Sequence, residues 1–112
     1  MTEKNSLQGP ALEASVLIKC ASEINYLREH WDEQKSNLDS VLEKNRKVWT
    51  ILSSSLLEEG NPQPDAVKNN ISNLALFIFQ RTMDILLHPE PERLKILVDI
   101  NMNIAQGLSG NA

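Results

Sequence analysis

Apolar residues in the first half of the chain recur at the spacing of a helix face. Leu17, Ile24, Trp31, Leu38, Asn45 and Leu52 fall seven apart, with Cys20, Leu27, Val41 and Val48 on a companion seam. Ala14, Ala21, Leu42, Trp49 and Leu56 widen that face. The phase holds across Asp32 to Asn37, yet that stretch is wholly polar, and Ser36 followed by Asp39 carries a fresh helix-start signal. One unbroken helix over this window would be about 70 Å long, several times the radius of a compact domain of this size. The pattern therefore favours a helix hairpin broken near residues 33 to 37, with one long helix as the alternative.

Glycine and proline supply the punctuation. All nine lie at four places: Gly9-Pro10, Gly60 to Pro64, Pro89 with Pro91, and Gly107 with Gly110. The windows between them are free of both, as helices require. Pro64 and Asp65 suit a helix start. The stripe that follows is Val67, Ile71, Leu74, Ala75, Ile78, Thr82, Ile85 and Leu86. Leu76, Phe77, Phe79, Met83 and Leu87 lie off that stripe, so this helix is apolar on more than one side. A last helix opens at Pro91-Glu92, runs through Leu94, Leu97, Val98, Ile104 and Ala105, and stops at Gly107, a residue suited to a left-handed cap. Ile96, Ile100 and Met102 broaden its apolar surface.

The expected fold is all-α: a bundle of three to four helices at about 11–33, 37–58, 64–87 and 91–106, in one domain over 11–108. Residues 1–10 and 109–112 are expected to be disordered. With 112 residues, 41% hydrophobic and 4% aromatic, the core must be built mainly from Leu, Ile, Val and Ala.

Charge narrows the function. A net charge of −4 draws the protein to neither nucleic acid nor an anionic membrane. The polar start argues against a signal peptide, and the longest apolar run, Leu74 to Phe79, is too short to span a bilayer, so a cytoplasmic location is expected. Cys20 alone makes no intrachain disulfide and reads as a buried thiol. His30 and His88 have no ligand-spaced neighbours. No phosphate loop, nucleophile elbow or HExxH pattern occurs, and the carboxylates fall at helix ends or on polar faces. Neither an enzyme nor a cofactor site is expected.

Lys44, Arg46 and Lys47 form the one basic cluster, read as a solvated face with a Glu43–Lys47 pair. Its alternative role is contact with RNA phosphates or an acidic surface. Asn45 occupies a seam position, where asparagine often sets helix register; Asn70, Asn73, Asn101 and Asn103 lie near apolar stripes. Trp49, Phe77 and Phe79 are large anchors for a core or for a partner helix in a groove.

Asn45-Arg46-Lys47-Val48-Trp49-Thr50-Ile51 is similar to the NRKLWTIF segment of the FlaF family of flagellar biosynthesis regulators, and Asn61-Pro62-Gln63-Pro64 to its NPLP linker. Asn70-Ile71-Ser72-Asn73-Leu74-Ala75-Leu76-Phe77 resembles the family core. Pro89 to Leu94 and Ile100 to Leu108 resemble its ending, with Met102 where that motif has arginine. Leu12-Glu13-Ala14 resembles an LEA segment near the start.

The resemblance implies a flagellin-binding chaperone or regulator that supports flagellin synthesis and export. Flagellin's terminal amphipathic helices would be the main partner, and FlbT, a repressor of flagellin translation, a second. The alternative is post-transcriptional control of flagellin messenger RNA, with FlbT or by direct RNA contact; a homodimer through the heptad face is a third reading, compatible with flagellin binding. The candidate partner-binding residues are Asn45, Arg46, Trp49, Asn73, Phe77, Phe79, Asn101 and Met102.

Overall fold

The computed structural model describes residues 9–109, which are helical throughout apart from the connections. Five α-helices follow in order: α1 Pro10–Glu29, α2 Trp31–Gln34, α3 Leu38–Leu57, α4 Asp65–Leu87 and α5 Lys95–Leu108. Short 3-10 turns, Lys35–Asn37 and Pro91–Leu94, lead into α3 and α5. The expected all-α bundle is thus present, and the first window is a hairpin. The molecule's principal extents of 44 × 28 × 25 Å leave no room for a rod of about 70 Å.

The hairpin bends because His30 leaves helical geometry, at φ −120° and ψ 45°. The first long helix therefore stops at Glu29, short of the expected 33, and the polar residues to Asn37 form the bend. Both flanking helices turn a leucine-rich face inward. Leu17, Ile24 and Leu27 of α1 meet Leu38, Leu42 and Leu52 of α3 in one core.

The linker into α4 is set by Asn61. Its Nδ2 donates to the Ser55 carbonyl at 3.1 Å, closing the end of α3, and its Oδ1 accepts from the Gln63 N–H at 2.9 Å. Gly60, at φ 87°, makes the preceding turn in a conformation that costs other residues about 1–2 kcal/mol. Pro64 then caps α4 rather than entering it.

Several features differ from expectation. Gly107 stays helical, because α5 continues to Leu108; among the described residues the positive-φ glycines are Gly9 and Gly60. Pro91 opens a 3-10 turn instead of an α-helix. Pro10 is already helical, and Ser109 donates its N–H to the Ala105 carbonyl at 3.0 Å, so both are placed at helix ends. Gly9, also expected to be disordered, is the N-cap of α1, and the other such positions, 1–8 and 110–112, lie outside the described residues.

Packing is uneven. Helix α1 sits centrally between α3 and α5, whereas α4 packs chiefly on α3. Because α4 and α5 rest on different neighbours, they share little contact beyond their Pro89–Pro91 corner. That arrangement exposes both flanks of α4.

Candidate partner-binding surface

The candidate residues separate into a buried set and a surface set. Asn45, Trp49 and Asn101 have 0% exposure. Trp49 Nε1 donates to Asn101 Oδ1 at 2.9 Å. Asn101 Nδ2 donates to Asn45 Oδ1 at 2.8 Å and to the Leu17 carbonyl at 3.4 Å. One carboxamide thus ties α5 to α1 and α3. These three residues cannot meet an external partner in this fold, so assigning them to partner contact is corrected. Sequence spacing could not separate them from surface residues, because an asparagine on a heptad seam serves a partner helix inside or outside the chain.

Arg46, Asn73, Phe77, Phe79 and Met102 reach the surface to different degrees. Arg46 is held by Glu43 at 2.6 Å. Asn73 is exposed on α4. Phe77 lies beneath the Arg81 guanidinium, 5.3 Å from the ring centroid, a cation–π arrangement. Phe79 packs partly against the core, and Met102 is exposed on α5. These positions do not form one patch, since Met102 lies on a helix that hardly touches α4.

A different set does form a row. The inner stripe of α4 is Ile71, Ala75, Ile78, Thr82 and Ile85, all buried. One residue further along each time, about 100° round the helix, come Ser72, Leu76, Phe79, Met83 and Leu86. Leu76 is 59% exposed, Met83 61% and the adjacent Leu87 68%. The spacing alternates three and four, the seam that a second helix packs against. The signal in the sequence was the off-stripe apolar positions of this helix.

The family model for flagellar protein FlaF matches residues 1–108. The chain belongs to the FlaF family. No curated protein and no solved structure matches it significantly. The FlaF-like core segment Asn70 to Phe77 lies in the middle of α4, so the segment that carries much of the resemblance also holds Leu76 of the exposed row.

In the basic cluster of this FlaF fold two of the three cations are paired, and Lys47 has no ion pair among the described residues. Lys44 pairs across the hairpin with Glu23 at 3.2 Å, and Arg46 pairs with Glu43. The expected Glu43–Lys47 pair is replaced by this Glu43–Arg46 pair, one residue closer on the helix. The hydrogen bond from Arg46 holds the Glu43 carboxyl below its usual range and raises the guanidinium in turn. Burial, with help from Glu23, pushes the Cys20 thiol up, so it stays protonated and unreactive. Burial likewise raises Glu13. Among the described residues no three His, Cys, Asp or Glu side chains converge on a point, and no helix is long and apolar enough to cross a membrane.

Proposed function

We propose that this FlaF-family chain is a cytoplasmic, non-enzymatic chaperone that binds flagellin and supports its synthesis and export. The exposed row Leu76, Met83 and Leu87 carries the reading. It extends over about 16 Å of α4, three helical turns, which matches the apolar stripe of one amphipathic helix. Unassembled flagellin helices would present such stripes and aggregate through them. Laying one along α4 would complete a helix pair whose second half this fold lacks among its described residues. The ion pairs at Lys44 and Arg46 weigh against the RNA alternative, because they leave Lys47 as the one cation of that cluster without a carboxylate partner among the described residues.

Co-expression with flagellin and gel filtration test the proposal. The two proteins are expected to co-elute at low and high salt. Changing Leu76, Met83 and Leu87 together to serine should abolish co-elution while leaving the circular dichroism spectrum intact, since all three side chains are already exposed. Separate elution of the unmodified proteins at both salt concentrations would refute the reading.

A further inference from the structure

Helix α4 is held differently from the other long helices. Glu23 of α1 pairs with Lys44 of α3 at 3.2 Å. Asn101 of α5 accepts a hydrogen bond from Trp49 at 2.9 Å, and donates to Asn45 at 2.8 Å and to the Leu17 carbonyl at 3.4 Å. Helix α5 is thereby joined to both α3 and α1. Among the described residues no hydrogen bond or ion pair joins α4 to any of these three. Its polar ties run only to its own connections. Lys68 Nζ donates to the Asn61 carbonyl at 3.0 Å at one end, and Asp84 lies 3.8 Å from Arg93 of the Pro91–Leu94 turn at the other.

What docks α4 is its inner stripe. Ile71, Ala75, Ile78 and Ile85 are buried, with Thr82 among them. Thr82 Oγ1 is buried without a hydrogen-bond partner among the described residues. A hydroxyl that loses water and gains no partner opposes docking, whereas apolar burial favours it without fixing a direction. This helix also packs chiefly on one neighbour, α3. An element with one main neighbour, no directional tie and a stranded polar group is the part of a fold that opens first. The connections can take up the motion: Gly60, at φ 87°, turns the chain before α4, and Pro89 and Pro91 bound the corner after it.

We propose that α4 is a detachable arm, which leaves α3 as one unit while α1, α3 and α5 stay joined through Asn101 and the Lys44–Glu23 pair. Opening bares Ile71, Ile78 and Ile85 together with the face of α3 beneath them. Undocking therefore gates the inner stripe, while the outer row is available throughout. The opened form is a minor species under native conditions, so bulk unfolding still shows one transition. This opening is a property of the chain alone and stands apart from the flagellin-binding reading.

Native-state hydrogen exchange of the full chain, in rising but sub-denaturing urea, tests the proposal. Amides in the middle of α4, from Ala75 to Thr82, are expected to exchange at least about tenfold faster than the slowest amides of α1 and α5. They should share one urea dependence, shallower than that of global unfolding, because less surface is exposed. Ala21→Gly supplies the second measurement. Ala21 is buried on α1 beside Val98 and Met102 of α5, so its contacts persist when α4 opens. The substitution should speed the slowest amides of α1 and α5 by about fivefold and leave those of α4 unchanged. Exchange in α4 as slow as in α1 and α5 overturns the arm. So does acceleration of the α4 amides by the same factor in Ala21→Gly, since the helices would then open only together.

Discussion

At the scale of single residues, the decisive feature is a carboxamide in the core. Asn101 joins the Trp49 indole, the Asn45 side chain and the Leu17 carbonyl, so it satisfies groups on α1 and α3 at once. Asn45 Nδ2 and Thr82 Oγ1 have no partner among the described residues, so the polar part of the core has little redundancy. Asn101→Ala should therefore cost roughly 2–4 kcal/mol, combining stranded polar groups with a small cavity. Trp49→Phe keeps most of the volume and should cost less, roughly 1–2 kcal/mol. Urea denaturation of both variants checks the ranking; equal losses would show that shape and not hydrogen bonding dominates there. The sequence marked Asn45 as a register residue from its seam position. Nothing local showed that Asn101, 56 residues away, would be its partner.

Among the elements, helix ends follow backbone chemistry closely. Gly60 holds φ 87° with open space around its absent Cβ, so Gly60→Ala meets only backbone strain and should cost about 1 kcal/mol. Gly107 is helical and equally open, so Gly107→Ala should instead gain about 0.5 kcal/mol. Thermal melts of the pair are expected to move in opposite directions. A loss for Gly107→Ala would place that residue outside helical geometry. The proline and glycine windows made the helices legible to within a few residues. The bend was less so, because the heptad phase runs through it unbroken and the departure at His30 has no strong local signal.

For the molecule as a whole, the packing order α4–α3–α1–α5 determines what is exposed. Trp49 lies fully buried beside Asn101, so its near-ultraviolet signal reports the docking of α5 as well as α3. Far- and near-ultraviolet transitions in urea should therefore coincide, as for a single cooperative unit. An earlier near-ultraviolet transition would mean that α5 detaches first. By itself the sequence determined the helical class, the positions of the breaks, the family and the surplus of apolar surface on α4. Each of these depends on residues close together in the chain. Tertiary structure alone decided which asparagines are internal and which flank of α4 stays open. Those depend on which helices choose one another, and a 3.6-residue repeat looks the same whether its partner lies within the chain or outside it.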